Sequence, residues 1–330
     1  MKQAQELLNS LFTIASNDEL EAVALMVFRF QHEHNRVYQR FCRELGVEAG
    51  DARGLADIPF LPIEVFKQQT VYASTDPPRQ VFTSSGTTGS EPSRHHVASL
   101  DLYEKSFFTC FRRFYGEPSD YCILSLLPDY LERQGSSLVY MARRLMEESA
   151  HPEGGFYLDQ LDALAGKLRH LAEREEKVLL LGVSFALLDL ASLHPMPLPN
   201  AIVMETGGMK GRRREMVRQE LHDTLCRAFG QEVIHSEYGM TELLSQAYSH
   251  GSGLFSCPPW MKVLLRDTTD PLSGVEEGQT GGINVVDLAN TFSCSFIATQ
   301  DLGRLRPGGQ FEVLGRFDNS DVRGCNLLAG

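Results

Sequence analysis

The sequence predicts an α/β fold: a helical opening, a mostly parallel sheet covered by helices, and a β-rich final third. Two observations carry this reading. From about Val81 to Glu242, short apolar runs alternate with amphipathic segments of helix length, the pattern of parallel strands joined by crossover helices. Beyond Glu242 the helical periodicity stops, and short apolar runs separated by Gly and Pro take over. The expected organisation is one core over 1–315, helical in 1–75, α/β in 76–242 and β-rich in 243–315, followed by a hinge and short tail in 316–330.

Taken in order, Lys2 to Ile14 and Asp18 to Leu45 read as helices. Leu20, Val23, Met26, Val27 and Phe30 recur at helical spacing, and Ser16, Asn17 and Asp18 offer N-caps. Asp57 to Phe66 holds Pro59 and Pro62 and reads as extended. Helices follow at 100–115, 136–148, 158–175, 185–193 and 212–229, with strands at 121–127, 178–181, 201–204 and 232–235. The β-rich third places strands near 260–265, 282–286, 295–298 and 311–314.

A chain of 330 residues can bury a large core. Its net charge of −12 disfavours nucleic acid and anionic membrane as partners. Seven cysteines without a C-x-x-C spacing indicate neither a disulfide framework nor a zinc site. Met1 to Ser10 lacks a signal-peptide core, and Val178 to Leu193, the longest apolar stretch, is interrupted by Gly182, Ser184 and Asp189. The expectation is a cytoplasmic protein with no membrane span.

The chemistry is expected first at Val81 to Pro92. An apolar run ends in Ser84, Ser85, Gly86, Thr87, Thr88 and Gly89. Gly86 and Gly89 permit positive φ and close approach, successive amides form an anion-binding concavity, and the hydroxyls add donors suited to a polyphosphate. The spacing fits neither the Walker loop nor the dinucleotide fingerprint. On its own, such a run also fits a polar surface loop.

Three further stretches keep it company. They are Tyr238-Gly239-Met240-Thr241-Glu242, Thr299-Gln300-Asp301-Leu302-Gly303 and Gly315-Arg316-Phe317-Asp318. Together, in this order, the four resemble the signatures of the adenylate-forming superfamily of acyl-CoA synthetases, luciferases and peptide-synthetase adenylation domains. Ile58-Pro59-Phe60-Leu61-Pro62-Ile63 and Val322-Arg323-Gly324-Cys325 resemble the acyl-protein synthetase of the bacterial bioluminescence fatty-acid reductase complex.

The resemblance implies ATP-dependent activation of a carboxylic acid, a fatty acid in the nearer family, to acyl-AMP, with acyl transfer to a thiol. It implies that Ser84 to Gly89 hold phosphates, Tyr238 stacks on adenine beside the turn Gly207-Gly208, and Thr241 contacts the α-phosphate. Glu242 would hold Mg²⁺, Asp301 the ribose hydroxyls, and Arg316 ribose or phosphate oxygen. Leu126 to Tyr130, with Arg133, Gly135 and Ser136, would begin the acid pocket, and His95 and His96 are lesser catalytic candidates. Cys325, with Arg323 close by, is the candidate acyl acceptor. An acyl reductase or another acyl-acceptor protein is an implied partner.

Two departures stand out. Ser93 follows Pro92 where the superfamily has lysine, and the sequence ends at Gly330, before the superfamily's lysine-bearing lid would begin. The expectation is therefore a core without the lid domain. Acyl-CoA ligation with a lid from another chain and non-catalytic nucleotide binding remain alternatives.

Overall fold

The computed structural model describes residues 7–8, 10–84, 91–128, 135–207 and 216–316. The opening is helical, as the periodicity predicts, but it is broken. Helix α1, Asn17–His34, starts on the Ser16 side chain, which accepts from Glu19 N, and buries Leu20, Val23, Ala24, Val27, Phe28 and Phe30. The single helix expected over 18–45 is two helices. At Asn35 the backbone turns extended, and the Asn35 side chain accepts from Val37 and Tyr38 N to start α2, Arg36–Glu44. Asn35 Nδ2 also donates to the Ser293 carbonyl at 2.8 Å. Gln31 Nε2 donates to the carbonyls of Asn290 and Thr291, so the opening is stitched to the far end of the sequence.

The stretch 57–66 is only partly extended. Strand β1, Leu61–Pro62, runs into a single helical turn α3, Val65–Gln68. Next comes the antiparallel hairpin of β2, Gln80–Thr83, and β3, Arg94–Val97. The α/β layer then follows with α4 (Leu100–Tyr115), β4 (Cys122–Leu126), α5 (Ser137–Ser149), β5 (Gly155–Phe156) and α6 (Leu161–Glu173). It continues with β6 (Val178–Val183), α7 (Ser184–Leu193), β7 (Ala201–Thr206), α8 (Arg218–Phe229), β8 (His235–Tyr238) and β9 (Ala247–Ser249). The strands pair in the order β5-β4-β6-β7-β8-β9, parallel except for the last pair.

All six residues of β6 are buried, as a strand covered on both faces requires. A Cβ at Gly182 would lie 2.8 Å from Leu187 Cγ, so Gly182→Ala breaks this sheet–helix contact.

The final third departs most from expectation. Strands β10 (Leu254–Phe255), β11 (Met261–Arg266), β12 (Thr280–Asp287), β13 (Phe296–Arg306) and β14 (Gln310–Arg316) form an antiparallel sheet in the order β10-β14-β13-β12-β11. Strand β1 adds to β13 in parallel, pairing Leu61 with Ile297. The strand expected near 295–298 runs on to Arg306, so it carries Asp301 within it, facing Arg316 across the β13–β14 ladder. Pairing on both edges of β13 overrides the turn tendency of its Asp and Gly.

Candidate functional site

The strand β8 ends on Tyr238, and alternation along it sends Glu237 and Tyr238 to opposite faces. Tyr238 OH donates to Asp301 Oδ2 at 2.9 Å, which ties the parallel sheet to the antiparallel one. Its ring lies edge-on to Phe311 at 5.5 Å and Phe255 at 5.9 Å. Burial, then the Asp301 charge, pushes the Tyr238 hydroxyl well above its ordinary range, so it stays a donor. Arg316 Nε donates to Asp301 Oδ1 at 3.2 Å while its side chain is 78% exposed, leaving the rest of the guanidinium free to meet a ligand.

The turn after Tyr238 is held from beneath. His95 is fully buried, with Nδ1 2.8 Å from the Thr241 carbonyl and Nε2 2.9 Å from Asn290 Oδ1. Asn290 Nδ2 donates to the Glu242 and Cys294 carbonyls. Burial lowers the His95 pKa, opposed by its contacts with the Thr241 carbonyl and Asn290, and both ring nitrogens are engaged in holding the turn. Asp287, also fully buried, accepts from Leu244 N, Ser245 N, Ser245 Oγ and Ala289 N.

Glu242 is 5% exposed, not a solvated surface carboxylate. Burial raises its pKa, opposed by a hydrogen bond from Ser93 and by the charges of Arg316 and Lys67. Ser93 also pairs with Ser84 at the base of the candidate phosphate loop. Ser84 N donates to the Ser93 carbonyl at 3.2 Å, and Ser93 N donates to Ser84 Oγ at 2.9 Å. Ser85, Gly86, Thr87, Thr88 and Gly89 lie outside the described residues, as do Gly208, Arg133 and Cys325. Gly207 has φ 68°, and its carbonyl accepts from Ser184 Oγ at 2.5 Å.

The fold thus brings Ser84, Thr241, Glu242, Tyr238, Asp301 and Arg316 to one place, and it adds residues that the motifs do not announce. Lys67 arrives on α3 because Glu64 Oε1 accepts from Gln300 Nε2 and Phe66 packs edge-on to His95. Asn290 and Asp287 sit in a connection with no motif of its own. The signal for Lys67 is its place just after the Pro59/Pro62 stretch; for the other two only the contacts identify them. As a candidate metal position, the buried Glu242 carboxylate supplies the hard oxygen that Mg²⁺ takes.

No protein-family model matches the chain, and no curated protein sequence matches it. Solved structures do. An open conformation of 2-hydroxyisobutyryl-CoA ligase, in complex with 2-HIB-AMP and CoA, aligns with a TM-score of 0.66 at 14% identity over 93% of this chain and 77% of its own. The chain has the adenylate-forming fold. ATP-bound MatB from Rhodopseudomonas palustris aligns with a TM-score of 0.54 at 17% identity, over 74% of this chain. The chain covers only half the length of that MatB. Among the described residues no helix is long and apolar enough to cross a membrane.

Proposed function

We propose that the chain activates a carboxylic acid with ATP to give acyl-AMP and pyrophosphate, then passes the acyl group to a thiol. The observation that carries this reading is the meeting of Ser84–Ser93, Thr241–Glu242 and Asp301–Arg316, which are far apart in sequence, around one strand end. Carboxyl ends of parallel strands are where α/β sheets receive ligands.

In the first step a carboxylate oxygen of the acid attacks the α-phosphorus, and the bond from that phosphorus to pyrophosphate breaks. Asp301 and Arg316 orient the ribose side, the loop based on Ser84 and Ser93 holds the phosphates, and the Thr241 hydroxyl donates to the α-phosphate. Glu242 would hold Mg²⁺, which when bound supplies charge neutralisation on the leaving pyrophosphate. In the second step a thiolate attacks the acyl carbon and AMP leaves. Burial pushes Cys42, Cys122 and Cys257 up to about 12, and Cys110, Cys226 and Cys294 also lie above the ordinary thiol range. None of these six is poised as a thiolate, which supports Cys325 as the acceptor within this chain.

The test is ATP- and acid-dependent pyrophosphate release over a panel of carboxylic acids, with free CoA present or absent. Release without CoA, together with a hydroxylamine-sensitive acyl label on the protein, is expected. Nucleotide binding with no release for any acid overturns the enzyme reading, and acylation of CoA without a protein label assigns the acceptor to CoA.

A further inference from the structure

We infer that the activated acid carries an ammonium group, received by Glu237 and Gln246 on the face of β8 opposite Tyr238. This rests on the adenylation reading and names its substrate class.

The position follows from the strand. Tyr238 looks toward Asp301 and Arg316, the side assigned to the nucleotide. An acid that must reach an α-phosphate held at Thr241 therefore approaches from the other side of the turn 238–242. On that side β7 and β8 set Thr206 next to Glu237 in register.

What waits there, among the described residues, is a buried carboxyl with one hydroxyl donor and a buried amide oxygen with none. Glu237 is 7% exposed and, among the described residues, takes one side-chain hydrogen bond, from the Thr206 hydroxyl at 2.5 Å. Its Oε1 lies against Gly239, where a Cβ would collide with it. The Gln246 side chain borders the same glycine, and its Oε1 is buried with no donor among the described residues. Among the described residues, the cations Arg218 and His222 pair with Glu205, which its register with Ser236 puts on the opposite face.

A buried amide oxygen left without a donor is destabilising, so Gln246 Oε1, kept that way beside a carboxyl at a ligand-receiving strand end, points to a ligand that supplies donors. An ammonium has three donors and no acceptor, and Glu237, Gln246 and the Thr206 hydroxyl oxygen supply three acceptors. Before binding, burial keeps Glu237 protonated to about 7, and the arriving cation takes the place of that proton. A plain alkyl chain, as in a fatty acid, would bring no donor to these oxygens.

The experiment compares butyrate, hexanoate and octanoate with 2-aminobutyrate, 4-aminobutyrate, 2-aminohexanoate, 6-aminohexanoate and 8-aminooctanoate in pyrophosphate release by the full chain. At least one amino acid should exceed its alkyl counterpart by about tenfold or more in kcat/KM. Glu237→Gln and Gln246→Leu should each erase most of that preference through the KM for the acid while leaving the KM for ATP unmoved. Alkyl acids performing as well as their amino counterparts would overturn the ammonium assignment alone. So would a preference that survives both folded variants, the result expected if Gln246 simply turns its amide to donate to Glu237. If no acid of either kind releases pyrophosphate, the adenylation reading falls and this inference with it.

Discussion

Replacing Glu237 by Gln should stabilise the protein at alkaline pH, because the native carboxyl is buried and, among the described residues, has one hydroxyl donor and no cation. Burial raises Glu237 from its ordinary 4.5 to about 7. A carboxyl raised in this way has its full stability below the unfolded value and loses it as pH rises through the folded one. At about 1.4 kcal/mol per pH unit, the gap makes about 3 kcal/mol against the folded state above pH 7. Gln keeps a carbonyl for the Thr206 hydroxyl, adds an N–H toward Gln246, and carries no charge at any pH. Urea unfolding of both proteins at pH 5, 7 and 8.5 gives the test. The variant's advantage should grow by about 2–3 kcal/mol from pH 5 to pH 8.5. Comparing the two proteins at each pH cancels His95, whose burial lowers it to about 4 and which destabilises both as pH falls below 6.5. Parallel stability curves would refute the reasoning, since they would mean that Glu237 titrates alike folded and unfolded.

Asp301→Ala removes the shared acceptor of Tyr238 and Arg316 and should weaken ATP and AMP binding by about ten- to a hundredfold by calorimetry, with the fold intact. Glu242→Ala should shift the Mg²⁺ dependence of pyrophosphate release to higher metal while leaving AMP affinity close to wild type; an unmoved metal titration would remove Glu242 from the metal. Asp287→Ala strands buried donors at Leu244, Ser245 and Ala289 and should cost about 3 kcal/mol or more in denaturant unfolding. Iodoacetamide at neutral pH should label Cys325 well ahead of the other cysteines, read by mass spectrometry, and Cys325→Ser should keep pyrophosphate release while losing the acyl label; an equally fast buried cysteine would undo that assignment.

The sequence alone determined the α/β alternation, since its two periodicities are local properties of the chain. It also determined the order of the motifs and the residue types that nucleotide chemistry needs. It placed Ser84, Thr241, Glu242, Asp301 and Arg316 as candidates, and the fold gathers them. The tertiary structure decided what local pattern cannot encode. Asn35 breaks the first long helix because its side chain has partners both in the next turn and at Ser293, more than two hundred positions away. Asp301 lies in a strand because β1, β12 and β14 all pair with β13, and that pairing outweighs the turn preference of Asp and Gly. Lys67, Asn290 and Asp287 reach the site only through contacts between distant segments, which leave no spacing to read. Glu237 looks like an ordinary acidic residue beside a motif; only strand register and burial make it a buried carboxyl facing away from Tyr238. Periodicity is written residue by residue, whereas burial and partner choice arise when segments remote in the chain exclude water together.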